Sequence, residues 1–517
     1  MIATQAIPFG TRIHPSYDTS SNTDCDSPIF FEAVVPPVLL ASERGLRCAH
    51  CFEKLNDTHS SHSLGRSSFN FFQYCSSECQ KKASAFDSEL IQLIDSDRSN
   101  NSNFHRYLTP ITVLLYKIMC AINREETCKA SKTTKSQMNE LVSNDDIDGF
   151  SLSEEENHYR FFIAQFCMKL YQDTHHGDAP FNVSELVKFT SMIIYNCFSI
   201  TDEEQKTIGL GLYLTAAIIN HSCEPNLVQT FAFGSGQNSN RKNDTPKLVL
   251  TASKNIENGQ EMFISYTNPL NIFTQRDAYL KKEYKFQCDC GRCTKSRLRR
   301  TGDCDGFVGS TDDYDSLSET LICQTKGCKG SCYDYELPQQ CKLCFSTPQS
   351  SQGLLFTGVR KLRDEATKIT NTTSQKLTSQ TMITEDDLRI AEYNYCKMKT
   401  LCRCSSWYVQ ESGTVLVDVL LNQINHHGNN NRDITQLCFQ TLKVLEELEF
   451  NSTSQSLNPL SNIHNQLKIA KLLLYLSPDP RRAVSIIQNA KTTLSIYFPN
   501  GHQIIGIAEG LLNSAHQ

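Results

Sequence analysis

Cysteine pairs are the first residues in this chain whose type and spacing call for chemistry. Cys48 and Cys51 stand in RCAHC, and Cys75 and Cys79 follow in YCSSECQ. Zinc favours four soft or borderline ligands in a tetrahedron, and the short turn of a C-x2-C pair lets two thiolates share one ion, so the two pairs together complete a site. FQCDCGRC supplies three more thiolates, Cys288, Cys290 and Cys293, one short of a closed structural site. The candidate for the missing ligand is Cys223, far upstream in AAIINHSCEPNLVQ, a stretch that puts Asn220, His221, Cys223, Pro225 and Asn226 into seven residues. Cys323, Cys328, Cys341 and Cys344 have ribbon-like spacing and suggest a further zinc, with Cys304 and Cys332 as competing ligands.

The remaining cysteines read differently. The chain has 23 in all, and the isolated ones on helix-like stretches, Cys120, Cys167, Cys197, Cys396 and Cys438, are expected to be small buried hydrophobes. His59 and His62 lie between the first two pairs, and the nearby oxygen ligands Asp87 and Glu89 fall on what reads as an exposed helix. Solvent-facing histidines are the simpler expectation.

At 517 residues there is room for several domains and a sizeable core. With 50 basic against 56 acidic residues the net charge is -6, so no global positive field draws the chain to nucleic acid or an anionic membrane. The basic stretch from Arg276 to Arg300 reads as a solvated helix face. No apolar run is long enough to span a bilayer, and MIATQAIPFGTRI lacks the regions of a secretory signal, so the cytoplasm or nucleus is the expected location. In such a reducing setting the thiols are expected to bind metal or pack, not to pair.

The elements that must position these residues show in the periodicity. The first forty or so residues alternate β-branched and turn residues, which suggests sheet. From His105 to Ser199 apolar residues recur at helical spacing, interrupted by a polar insert from Ser131 to Glu156 that reads as a loop. KLVLTASKNI, the turn ENGQ and EMFISY then read as a hairpin-rich unit. From about Asp386 to the end the pattern is helical. Leu460, Ile463, Leu467, Ala470 and Leu474 share one face, as do Ala483, Ile487, Ala490, Leu494 and Tyr497, and SPDPRR turns one helix back on the other. Ile434, Leu437, Thr441, Leu445 and Leu448 form a similar stripe. Stacked helix pairs of tetratricopeptide (TPR) type and an ordinary helical domain account for these stripes equally well.

NHSCEPN, then GQEMFISY, then FQCDCGRC, in that order, closely resembles the SET-domain methyltransferase pattern with its cysteine-rich post-SET segment. RCAHC with YCSSECQKK resembles a MYND zinc module, and the whole chain resembles a SET and MYND domain (SMYD) protein. The resemblance implies an α+β fold: an irregular β SET core split by a MYND zinc module and a helical insert, followed by an α-helical TPR-like C-terminal domain. It divides the chain into N-terminal SET strands at 1-45, a MYND-like module at 46-90, a helical insert at 91-200, core SET at 201-267, a post-SET zinc segment at 268-300, a Cys-containing linker with a candidate zinc knuckle at 301-350, and the TPR-like domain at 351-517. NHSCEPN is expected to pass the segment ending in ISY as a pseudoknot.

By the same resemblance the activity is methyl transfer from S-adenosylmethionine to a lysine of a histone or non-histone protein. Asn220 and His221 match the cofactor-contacting pair, and Tyr266 matches the catalytic tyrosine beside the transferred methyl. Phe286 matches an aromatic packed on the adenine, Asn196 a further cofactor contact, and Phe198 and Tyr284 the walls of the lysine channel. Zinc is the implied metal. A protein or peptide carrying the target lysine is the implied substrate, with protein partners at the MYND and C-terminal domains and no membrane or direct nucleic-acid partner. Two departures matter. The G-x-G turn that precedes the first strand in the family is absent, which implies an incomplete or alternative product, or a member that binds the cofactor poorly; the second MYND C-x2-C with its later His and Cys is also missing. A catalytically inactive zinc-containing adaptor that binds protein partners is therefore the alternative.

Overall fold

A computed structural model of the chain describes residues 1-13, 30-55, 62-63, 72-99, 104-127, 134-141, 143, 152-177, 179-233, 244-301, 314-323, 325, 327-328, 330-333, 341, 343-344, 353-378, 383-426, 431-448, 457-499 and 502-515. His59 and Cys304 lie outside them, as does the side chain of His62.

The described residues among the first forty, where sheet is expected, form little regular ladder. Ile2, Ile7, Arg12 and Phe31 make isolated antiparallel bridges to Glu261, Ile256, Thr251 and Leu248, so the amino terminus is an edge laid along strands that arise much later. Strand β1 is only Val38–Leu39. The prolines of VVPPVLL just before it lack ladder N–H groups, which limits pairing there.

Two short strands, β2 (His62–Ser63) and β3 (Gln73–Tyr74), lead into helix α1 (Ser77–Ser99). Helices α2 (Pro110–Thr127), α4 (Glu154–His175) and α5 (Val183–Asn196) follow, with the short α3 (Thr134–Met138) between. The polar insert expected to be a loop thus contains α3 and the first turn of α4. That first turn is set by a capping box in which Ser153 Oγ accepts from Glu156 N at 3.2 Å while Ser153 N donates to the Glu156 carboxylate at 3.0 Å. Asn182 caps α5 in the same way, accepting from Glu185 N at 2.8 Å. The inward faces of α2, α4 and α5 share one apolar core that contains Cys120 and Cys167. Asp87 corrects one expectation: its helix is present, but the carboxylate is buried, paired with Lys117 Nζ at 3.0 Å and accepting from the Tyr74 hydroxyl at 3.0 Å. A buried charge of this kind needs both partners.

Strands β4 (Phe198–Thr201) and β5 (Thr207–Gly211) extend β1 into an antiparallel sheet of order β1-β5-β4. After the one-turn α6 (Leu214–Ala217) come β6 (Asn220–His221), β7 (Leu227–Ala232), β8 (Lys247–Ala252) and β9 (Phe263–Ile264). Here the pairing departs from a simple hairpin. The ENGQ turn is present, with Gly259 at φ +82°, yet β8 pairs with β7 while β9 runs parallel to β6.

Helix α7 (Phe273–Tyr279) continues into a π-turn over Leu280–Tyr284, and α8 (Gly291–Thr301) and α9 (Tyr314–Ser318) follow. The hairpin β10 (Thr320–Ile322) and β11 (Ser331–Tyr333) precedes the helical tail. That tail comprises α10 (Gly353–Thr378), α11 (Glu385–Leu401), α12 (Trp407–His426), α13 (Asn431–Leu448), α14 (Pro459–Leu476), α15 (Arg481–Tyr497) and α16 (Gln503–Ala515), each packed on the next. Both expected faces of α14 and α15 enter its core, Leu474 less deeply than the rest. Helix α10 begins well before the periodicity becomes legible because its inward face is largely polar: Asn394 Nδ2 donates to Ala366 O at 2.8 Å and to Thr370 Oγ1 at 2.6 Å. Cys396 is exposed on α11, not buried as its helical setting suggested. The tail grips the strand region through Thr230 Oγ1, which donates to Tyr497 O at 2.9 Å, and Arg12, which donates to Phe498 O at 2.8 Å.

Candidate active site

The short parallel pair β6/β9 aligns Asn220 with Phe263 and His221 with Ile264. Parallel strands cannot be joined by a tight turn, so the chain runs out through β7 and β8 and returns to thread beside NHSCEPN. Asn226 fastens this crossing. Its Oδ1 accepts from Phe263 N at 2.7 Å and its Nδ2 donates to Glu261 O at 2.8 Å. The expected passage of NHSCEPN past the ISY segment is thereby present.

His221 explains the mixture of residue types in that motif. Its Nδ1 accepts from Tyr266 N at 2.9 Å, so the ring proton belongs on Nε2, which lies 3.2 Å from Cys223 Sγ. The imidazole thus joins the end of β9 to a cysteine cluster, an N–H donor on a thiolate sulfur being the kind of contact that orients a metal ligand. The Tyr266 hydroxyl turns the other way and donates to Ile219 O at 2.7 Å.

A cavity of about 100 Å³ opens at this point. Phe198, Tyr266 and Tyr284 line it with Asn196, Tyr195 and Tyr279. The rings of Tyr266 and Tyr284 are 4.8 Å apart, and Phe286 lies 6.5 Å from Tyr266 and 5.9 Å from His221. Burial pushes the Tyr266 hydroxyl up to about 12, so it is a neutral donor near pH 7 and not a base. Lys285 separates Tyr284 from Phe286 at φ +64°, a conformation disfavoured for a side chain with a Cβ. Its ammonium, 2.6 Å from Glu156 Oε1, secures that turn to the start of α4.

Of the residues singled out in the sequence, Tyr266, Tyr284, Phe198 and Asn196 meet in the cavity, and His221 and Phe286 border it. Asn196 donates through Nδ2 to Met192 O at 2.8 Å. Asn220 is exposed on the outer side, donating to Glu261 Oε1 at 2.7 Å. Sequence reading missed Tyr195 and Tyr279. The second is signalled only by AYLKKEY, where a π-turn brings tyrosines five positions apart onto one wall.

The cysteines assemble as their spacing implies. The Sγ atoms of Cys48, Cys51, Cys75 and Cys79 lie within 4.8 Å of one another, as do those of Cys223, Cys288, Cys290 and Cys293 and those of Cys323, Cys328, Cys341 and Cys344. Neighbouring sulfurs are 3.5 Å apart for Cys51 and Cys75, 3.4 Å for Cys223 and Cys293, and 3.7 Å for Cys323 and Cys344. A tetrahedron with Zn–S bonds of about 2.3 Å has edges of about 3.8 Å, so all three groups fit zinc. In the second group, contacts with the neighbouring thiols hold Cys288 below and push Cys223 above the ordinary thiol value.

The basic stretch is solvated at Lys281, Lys282 and Lys295, as expected, but Arg276 and Arg292 correct that reading. Arg276 is 0 % exposed, not solvated, and pairs through Nη2 with Asp315 at 2.8 Å. Arg292 reaches the same carboxylate at 2.5 Å and donates to Cys223 O at 2.8 Å. With Arg276 Nη2 also 4.0 Å from Cys293 Sγ, these guanidinium groups offset thiolate charge beside the second cluster. The pattern in sequence is helical and basic, and nothing in it marks Asp315 as the partner.

A family model of the SET domain matches residues 1–267, the region that contains the threaded strands and Tyr266. The chain belongs to the SET-domain family. Within it, several of the curated relatives carry SMYD names. Histone-lysine N-methyltransferase SMYD3 of Mus musculus is 25% identical over 285 residues, 55% of this chain and 56% of the relative. N-lysine methyltransferase SMYD2 of Gallus gallus is 27% identical over 275 residues, 52% of this chain and 56% of the relative. Histone-lysine N-methyltransferase ASHR1 of Arabidopsis thaliana is 26% identical over 230 residues, 43% and 42% respectively. The SET protein described here spans about half the length of the curated relatives it matches. Among its described residues no helix is long and apolar enough to cross a membrane.

Proposed function

We propose that this SET protein transfers a methyl group from S-adenosylmethionine to a lysine side chain of a histone or other protein in the cytoplasm or nucleus. The observation that carries the reading is the cavity lined by Tyr266, Tyr284 and Phe198, with the Tyr266 hydroxyl tied to Ile219 O. Its volume and aromatic lining suit the end of an aliphatic side chain. The cofactor belongs on the neighbouring face, where Phe286 offers a half-buried ring and Asn220 an exposed carboxamide, with His221 and Asn196 between that face and the cavity. The Phe286 ring and the carboxamides of Asn220 and Asn196 fit an adenine and an amino-acid group, while both ring nitrogens of His221 are taken up by Tyr266 N and Cys223 Sγ.

When bound, S-adenosylmethionine supplies an electrophilic methyl on a sulfonium. The protein's part is to present a neutral amine in line with it, mostly a matter of geometry. Tyr266, Tyr284 and Phe198 exclude water from the lysine end and disfavour its charged form, lowering the amine's pKa without a strong base. The Tyr266 hydroxyl, neutral and anchored, orients the amine.

The cluster of Cys223, Cys288, Cys290 and Cys293 takes a structural zinc that fixes Phe286 and His221, with positioning and not Lewis acidity as its task. Cys48, Cys51, Cys75 and Cys79 hold the zinc of a MYND-like module at 46-90, and the group at Cys323, Cys328, Cys341 and Cys344 is a zinc knuckle in the linker. The remaining boundaries follow the resemblance: SET segments at 1-45 and 201-267 around a helical insert at 91-200, a post-SET segment at 268-300 and a TPR-like domain at 351-517. Packing of each tail helix on the next supports the last assignment, and the tail with the MYND-like module provides surfaces for protein partners.

The test is transfer of labelled methyl from S-adenosylmethionine to lysine-containing proteins by the purified chain, with cofactor binding measured by calorimetry. Saturable binding and label on lysine support the reading. Absence of both at millimolar cofactor would leave the adaptor reading in its place.

A further inference from the structure

Among the described residues, one group of metal-ligating side chains lies outside the cavity and the three cysteine clusters. Glu89 on α1, Cys120 on α2 and His175 at the end of α4 bring a carboxylate oxygen, a sulfur and an imidazole nitrogen within 4.8 Å of one another. They come from three helices that pack side by side, with Cys120 1 % exposed and the Glu89 and His175 side chains 40 % and 23 % exposed.

The surroundings fix how the imidazole presents itself. Thr174 Oγ1 donates to Leu170 O at 2.9 Å, so its lone pairs receive the Tyr116 hydroxyl at 3.1 Å and His175 Nδ1 at 2.9 Å. Nδ1 is also 3.2 Å from Tyr171 O, which can only accept. The proton of the neutral ring therefore sits on Nδ1, and the Nε2 lone pair points to Glu89 Oε2 at 3.6 Å. A lone pair facing a carboxylate, with a thiol beside both, is repulsive unless a metal cation or a second ring proton lies between them. The Tyr171 ring stacks on His175 at 4.0 Å and 6°, holding its plane, and Tyr116 also reaches Glu89 at 3.4 Å. The Tyr171 carbonyl on Nδ1 is the kind of outer contact that orients a metal-ligating imidazole.

We propose that Glu89, Cys120 and His175 form a further binding site for a zinc-like divalent cation, joining α1, α2 and α4. One nitrogen, one sulfur and one oxygen suit zinc or cobalt and not magnesium or calcium. Three protein ligands leave a fourth position for water on the exposed side. Binding releases the Cys120 thiol proton to solvent.

The full chain, loaded with zinc, is analysed by native mass spectrometry beside Glu89→Gln, Cys120→Ser and His175→Gln. Each variant is expected to bind one zinc fewer than the parent while retaining the others. Added Co2+ is expected to give thiolate-to-cobalt absorption in the parent that Cys120→Ser lacks. Should Cys120→Ser fail to fold, the more exposed Glu89→Gln and His175→Gln carry the count alone. Equal metal content in the parent and these two variants would mean that His175 merely pairs with Glu89 as an imidazolium, and would overturn the site.

Discussion

The hydroxyl of Tyr266 donates to the carbonyl oxygen of Ile219 across 2.7 Å, joining the end of one threaded strand to the residue just before the other. The bond holds a hydroxyl that stands at the junction of β6, β9 and the aromatic cavity. Tyr266→Phe keeps the ring against Tyr284 and removes only this group. Stability is expected to fall by about 1 kcal/mol, seen as a small drop in Tm. Single-turnover methyl transfer is expected to fall about 100-fold or more, the scale on which a positioned hydrogen-bonding group acts on a transition state. A change below threefold would remove Tyr266 from the chemistry.

Arg276 and Asp315 are buried against each other, so breaking the pair leaves a charge without compensation. Asp315→Asn is expected to cost about 3–5 kcal/mol, measured by urea denaturation, and more than the paired replacement of both by leucine. Acid has a related effect. Burial alone would raise the Asp315 carboxyl, but Arg276 and Arg292 outweigh it and hold it at about 2, below its ordinary 3.8. A folded pKa below the unfolded one stabilises above the unfolded value, and that contribution disappears as pH falls from about 4 through 2. The stability curve is therefore expected to steepen there, and Asp315→Asn to flatten it.

The site was legible in sequence where short-range spacing fixes geometry. Cys48 with Cys51, or Cys288 with Cys290 and Cys293, must lie close whatever the fold, and the motif order around Asn220 and Tyr266 carried the rest by resemblance. What escaped reading depends on tertiary pairing. Arg276 looks solvated until Asp315 is brought to it, and Asp87 looks exposed until Lys117 faces it. Helix α10 hides because it packs through Ala366 and Thr370 rather than a leucine stripe, and β9 reads as a hairpin partner of β8 because nothing local encodes its parallel pairing with β6.

His502 joins the helical tail to β7. Its Nε2 donates to Phe231 O at 3.1 Å and its Nδ1 accepts from Ile504 N at 3.3 Å, so the buried ring has no place for a second proton. Burial pushes it down to about 4 from 6.5. The unfolded chain takes up that proton as pH falls below about 6.5 and the folded chain does not, so stability is expected to decline by up to about 1.4 kcal/mol per pH unit between 6.5 and 4. His502→Gln, retaining a donor for Phe231, is expected to abolish that slope in melting curves recorded across this range.

The two tetrahedral groups nearest the strand core make opposite predictions for cofactor binding. Cys223, Cys288 and Cys293 pack against Tyr266, Tyr284 and Phe286, whereas Cys48, Cys51 and Cys79 pack against Tyr74 and Ala83. Cys290→Ser and Cys48→Ser are each expected to lose one zinc by native mass spectrometry. Only the first frees the turn that carries Phe286, so its affinity for S-adenosylmethionine is expected to drop at least tenfold by calorimetry, while Cys48→Ser stays within about threefold of the parent. The order follows from position, since a structural zinc acts on what its loop holds. Equal losses in both variants would show that the metals support the fold as a whole and not the site in particular.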